Sequence, residues 1–179
     1  MRHPYLILMS IVLLVFMGAL TAEAGGTVAD RQAVSDAVHA SIGWALEKDT
    51  TLLYSVMAHD SELFYFGPND AGNISGFAEF RQLVEGFFML DDFKATSYEI
   101  RDLKINFSSG GEVAWFSCRL DDYGEWKGQP TAWDDCRWSG VLEKRDGHWV
   151  LVQMHFSFDT AAVAKKQAER DKEKYEGKP

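Results

Sequence analysis

Residues Gly140 to Phe158 read GVLEKRDGHWVLVQMHFSF, and the reading of this stretch decides the fold. Arg145-Asp146-Gly147 is a turn, and on both sides of it apolar residues return with a period of two, the signature of strands with one buried face. Working outward, Thr131 to Lys144 is one strand and His148 to Phe158 is the last. Upstream, Ser108-Ser109-Gly110-Gly111 turns the chain into a strand from Val113 to Asp122. The period of two begins at Phe93. Tyr98 and Ile100 share one parity, whereas Leu103, Ile105 and Phe107 share the other, so a β-bulge near Arg101-Asp102 is expected to keep all five on one face.

Before the meander the period is helical. Val34, Val38, Ile42, Ala45 and Leu46 follow Asp30, the expected N-cap of a first helix. Leu52, Leu53, Val56 and Met57 predict a short second helix, and Phe77, Phe80, Val84, Phe87 and Phe88 a third, with Glu79 three residues after Gly76 as half of a capping box. Glu62 to Phe66 is a strand stopped by Gly67-Pro68-Asn69-Asp70. The order helix, helix, strand, helix, four strands predicts an α+β fold: a curved antiparallel sheet covered by three helices. The domain is expected at residues 25–159. Residues 160–179, dominated by charged and small side chains, form a tail.

The N-terminus reads as an export signal. Met1-Arg2-His3 precedes the apolar run Leu6 to Leu20, and Thr21-Ala22-Glu23-Ala24 supplies small residues for cleavage after Ala24. That run of 15 residues is shorter than the ~20 a spanning helix needs. The expectation is residues 1–24 as a signal peptide, no stable membrane anchor after cleavage, and a periplasmic or secreted protein. A net charge of −9 disfavours nucleic acid and anionic membrane surfaces, which select basic faces.

Folding the hairpin about Lys127 sets Cys118 opposite Cys136, within disulfide reach in an oxidising compartment, so a bond between them is expected. No Cys-x-x-Cys or His-x-His spacing accompanies them, and neither a metal nor a cofactor is assigned. The same register sorts the strands into two faces. Phe116, Leu120, Trp138, Gly140, Leu142, Val150, Val152, Met154 and Phe156 join the cysteines on an apolar face. Trp115, Arg119, Trp133, Arg137, Trp149, Gln153 and His155 fall on the other. Aromatics and Arg together on a sheet surface are typical of an interface, so Trp115, Arg119, Arg137, Gln153 and His155 are expected to form a homodimer contact. The acidic pairs Asp121-Asp122 and Asp134-Asp135 lack the shaped oxygen-rich loop that calcium needs and are read as water-facing.

With the helix, helix, strand, helix, meander order in hand, "VAWFSCRLDD" (Val113 to Asp122) and the ending from Gly140 to Phe158 resemble the SnoaL-like branch of the nuclear transport factor-like superfamily. The similarity covers about residues 30–158, and Arg145-Asp146-Gly147-x-Trp149 followed by His155-x-Ser157 carries it best. The resemblance implies helices wrapping the sheet into a cone, a pocket at the open end and sheet-to-sheet dimers. Its members include polyketide cyclases, ketosteroid isomerases, dehydratases and association domains, so fold leaves function open.

Two function classes follow. The preferred one is a binding module, in which Phe66, Phe116, Trp138, Met154 and Phe156 line a cavity for a small, neutral, hydrophobic ligand, with Gly140 leaving room among them. The other is an enzyme of the cyclase, isomerase or dehydratase kind. His59-Asp60 lies where related isomerases can keep a general base, and His39 sits one residue off the apolar stripe of the first helix, so Asp60 or His39 would move the proton. His155 and Ser157 make no hydrolytic triad, because no strained Gly-x-Ser-x-Gly turn presents a nucleophile.

Overall fold

The structure, a computed structural model, describes residues 25–68, 72–161, 163–165, 168 and 172. The expected signal segment, residues 1–24, and residues 69–71, which include the second half of the stop after Phe66, lie outside the described residues. Three helices, α1 (Val28–Gly43), α2 (Thr50–Ser55) and α3 (Phe77–Leu83), accompany six strands, β1 (Phe64–Phe66), β2 (Ile74–Ser75), β3 (Phe93–Phe107), β4 (Val113–Trp126), β5 (Gln129–Arg145) and β6 (His148–Ser157). The strands form one open, curved sheet in the order β2-β1-β6-β5-β4-β3. One pairing departs from the expected antiparallel pattern: β1 runs parallel to β6, with Tyr65 opposite Met154. Among the described residues no helix is long and apolar enough to cross a membrane. The described residues of the tail, 160, 161, 163–165, 168 and 172, are helical.

The first helix starts earlier than its apolar stripe suggests. Thr27, not Asp30, is the N-cap, and Asp30 completes a capping box from the third helical position. The same carboxylate accepts hydrogen bonds from Lys144 Nζ at 2.8 Å and Trp149 Nε1 at 3.0 Å. It therefore ties the helix start to the β5–β6 hairpin, and these donors hold its carboxyl far below the usual carboxylate range. Val34, Ala37 and Val38 on α1 pack into the core.

Register shifts bend the sheet. The expected bulge in β3 is present: the pairing slips between Arg101 and Lys104, and Asp102 takes a φ of 54°. A second lies opposite it in β5, where Leu120 pairs with Cys136 but Asp122 pairs with Trp133, and Asp135 adopts a φ of 56°. A third lies in β6, where Leu142 pairs with Leu151 but Val141 with Gln153. Each extra residue flips the side chains beyond it to the opposite face. This corrects two assignments, since Trp133 and Trp149 leave the outer face; Trp149 is buried, and Val150 is only half-buried in its place.

The cysteines are corrected by the same physics. The β4–β5 turn has two residues, Lys127 and Gly128, both at positive φ, and the β5 bulge adds one more. Together these slide the strands by two positions from the expected register, so Cys118 lies opposite Trp138 and Cys136 opposite Leu120. The two cysteines are diagonal neighbours, at a typical separation of ~7–8 Å against a usual disulfide limit of about 7 Å. Both are free and buried. Burial pushes the Cys118 thiol up to about 12 and the Cys136 thiol up to about 11.

Candidate functional site

At the open end of the cone the helices cease to cover the sheet, leaving a cavity of about 520 Å³. Its floor is Tyr65, Met154 and Phe156, from the paired β1 and β6. One wall is helical. The turn after α1 contributes Trp44, and α3 contributes Phe80 before the chain widens into a π-turn, Val84–Phe88. Such a widened turn re-aims the residues it carries, and here Phe87 and Phe88 reach the cavity. The other wall is the far end of the β4–β5 hairpin, with Asp122, Tyr123, Trp126 and Trp133. Phe87 stacks on Trp126 across the mouth, with ring centroids 4.8 Å apart and planes 14° from parallel.

The β5 bulge makes this wall. It turns Trp133 inward, where it meets Phe156 at 5.4 Å. Asp121 holds the bulge from outside: its carboxylate accepts from the Asp135 backbone N–H at 2.6 Å and from Arg101 at 3.0 and 3.1 Å. The next residue, Asp122, pairs across the sheet with Trp133 and Tyr98 and lines the cavity. Burial pushes its carboxyl up to about 6. The expected water-facing pair is thus split, one carboxylate clamping the backbone outside and the other lodged among aromatics inside. Burial likewise raises the Tyr65 phenol, with smaller contributions from Cys136 and Asp122.

The residues predicted for catalysis lie elsewhere. His39 is exposed on α1, its ring 6.2 Å from that of Tyr98. His59 is exposed, stacked on Phe77 at 4.1 Å, with Nε2 2.8 Å from the Tyr54 carbonyl. Asp60 pairs with Arg145 and accepts from the Glu62 backbone N–H at 2.9 Å, and these bonds, the backbone one foremost, lower its pKa. A carboxylate held in this way is a poor proton acceptor at neutral pH, and none of the three lines the cavity.

Of the five predicted lining residues, Met154 and Phe156 are in place. Phe116 and Trp138 are core instead, 2% and 1% exposed, packed edge to face at 4.9 Å. Gly140 leaves no room for a ligand: a Cβ there would fall 2.5 Å from the Phe116 ring, so the glycine admits that ring. Phe66 is 40% exposed and contacts Phe64 and His155 outside the cavity. Asp122 and Trp133, which the sequence reading left facing solvent and the partner, carry the site, and only the bulge reveals it. Trp115, Arg119, Arg137, Gln153 and His155 do share the outer face, each between neighbours turned inward. There Arg101, Arg119 and Arg137 stand opposite one another on consecutive strands. Among the described residues no group of three or more His, Cys, Asp or Glu side chains is placed to hold a metal.

The family model for the SnoaL-like domain matches residues 34–161. The chain belongs to the SnoaL-like family. Solved structures agree on the fold. An NTF2-like protein of unknown function from Pseudomonas putida shares 15% identity over 77% of this chain and 94% of its own, with a TM-score of 0.59. A hexachlorocyclohexane dehydrochlorinase, LinA-type3, from Novosphingobium barchaimii shares 18% over 72% and 85%, at 0.56. The association domain of Caenorhabditis elegans CaMKII shares 18% over 73% and 96%, at 0.55. At these identities the likeness is one of fold. No curated protein matches the sequence.

Proposed function

We propose that this SnoaL-like chain is a binding module that holds a small, largely apolar molecule in the cavity between Trp44, Phe87, Trp126 and Trp133. The observation that carries the reading is a cavity of about 520 Å³ walled by aromatic side chains, of the size and lining typical of small-molecule sites. Titration with the neutral probe N-phenyl-1-naphthylamine tests it. Saturable fluorescence enhancement is expected, weakened about tenfold or more in Trp133→Ala through loss of one aromatic wall. Absence of saturable binding to the folded protein overturns the reading.

A second reading rests on Asp122. A carboxyl held up to about 6 inside an apolar cavity is suited to general-base work at neutral pH, and it takes the role that the sequence reading gave to Asp60 or His39. Under this reading the enzyme gains activity as pH rises through about 6, when Asp122 loses its proton. Deuterium exchange at the α-carbon of cyclic ketones, followed by NMR, tests it; exchange that persists undiminished in Asp122→Asn excludes the residue. We also infer export with cleavage after Ala24, from residues 1–24; protein that stays in the cytoplasm contradicts the export, and exported protein that retains Met1 contradicts the cleavage. Self-assembly through the outer face completes the proposal, supported by Trp115 standing 46% exposed beside the row of arginines.

A further inference from the structure

Among the described residues Asp122 is the one charged group lining the cavity: the helical wall contributes apolar side chains and Ser41, and the strands add only tyrosines and Thr131 as polar side chains. No hydrogen bond or ion pair reaches its carboxylate from the described residues. A desolvated carboxylate without a partner is costly, and two things relieve it: a proton, or a cation brought by a ligand. The aromatic surroundings favour the second. The faces of Trp44, Phe88 and Trp133 carry negative quadrupole potential, which attracts an ammonium and repels an anion. Carboxylate and rings thus select the same sign of charge.

We propose that the ligand is a hydrophobic cation, an ammonium group on an apolar body, with its charge set against Asp122 and its body among Phe87, Phe88, Trp126 and Trp133. This rests on the cavity reading above and narrows it, because anionic ligands such as carboxylates are excluded by charge. The groups that act on Asp122 from other elements are Tyr65 on β1 and Cys136 on β5, and Tyr123 is its neighbour on β4; burial raises the first two, and a bond to Asp134 the third, so none titrates near neutrality. Among the described residues, Asp122 is therefore the group that sets how the cavity's affinity for a permanent cation changes between pH 5 and 8.

Calorimetric titration with three probes of one skeleton tests this: (2-naphthylmethyl)trimethylammonium, 2-naphthylmethanol and 2-naphthylacetate. At pH 7.5 the cation should bind about tenfold tighter than the alcohol, and the anion not detectably. Asp122→Asn should bring the cation down to the level of the alcohol. In the wild type, acidification to pH 5 should weaken the cation by roughly tenfold without moving the alcohol; this arm stands even if Asp122→Asn fails to fold. A cation that binds no better than the alcohol, or whose affinity ignores both pH and the Asp122→Asn change, overturns the inference and leaves the cavity reading intact. Failure of all three probes overturns both.

Discussion

Trp138 and Asp122 sit on the same face of the sheet, yet one is core and the other is site. Trp138 stacks on Phe156 at 5.4 Å with planes 13° apart and is closed off below the cavity. Trp138→Ala should therefore destabilise by ~3–5 kcal/mol, the cost of emptying a packed indole site, and chemical denaturation measures it; a loss below about 1 kcal/mol would show that the site is not packed. Asp30 makes the complementary case for a charged residue. Its folded-state pKa is depressed by Lys144, Thr27 and Trp149, so its contribution is fully present above its unfolded value near 3.8 and is lost as pH falls below that. Asp30→Asn should cost about 2–4 kcal/mol at neutral pH and flatten the fall of Tm between about pH 4 and 2. A mutant Tm that falls as steeply as the wild type's would remove Asp30 as the cause.

At the scale of elements, the bulges decide what the hairpins present. Tyr98/Ile100 against Leu103/Ile105/Phe107 betrays the bulge in β3 because five apolar residues with clashing parity need one. The bulge in β5 leaves no such trace: Trp133 is credible on either face of an amphipathic strand, and Asp134-Asp135 looks like solvated surface. The insertion in β6 is equally silent, since Trp149, Val150, Leu151 and Val152 form an unbroken apolar run that fits either parity. The Arg101–Asp121 pair is the device that holds the β5 bulge, through the Asp135 N–H. Asp121→Ala should cost about 1–3 kcal/mol by leaving that backbone donor unpaired and Arg101 without its main partner. It should also reduce probe binding, since Trp133 depends on the bulge for its inward face. Unchanged affinity at reduced stability would detach the clamp from the site.

At the scale of the molecule, the outer face is the surface through which we propose assembly. Arg137 is exposed at the centre of the face and donates to the Phe158 carbonyl, while Arg119 pairs with Asp135. A two-fold contact through this surface brings Arg137 near its copy, with Trp115 supplying apolar area. Light scattering should show a dimer at micromolar concentration. Arg137→Glu should weaken dimerisation by about tenfold or more, with no loss of probe binding, because the cavity lies on the opposite face of the sheet. A wild-type monomer under these conditions refutes the contact.

Periodicity alone determined the α+β order, both Gly-containing turns that flank the last strands, the β3 bulge and most of the buried face, because burial on one side of a strand imposes alternation on the residues themselves. Register escaped it. The two-residue turn at Lys127-Gly128 and the bulge at Asp135 each shift the pairing by one, and each shift depends on left-handed backbone angles that Lys and Asp tolerate without announcing. Those two steps separated Cys118 from Cys136, carried Trp133 inside and set Asp122 against it. Which carboxylate meets water and which meets an aromatic wall was decided only when the strands closed on one another, since desolvation belongs to the packed neighbourhood and not to the residue.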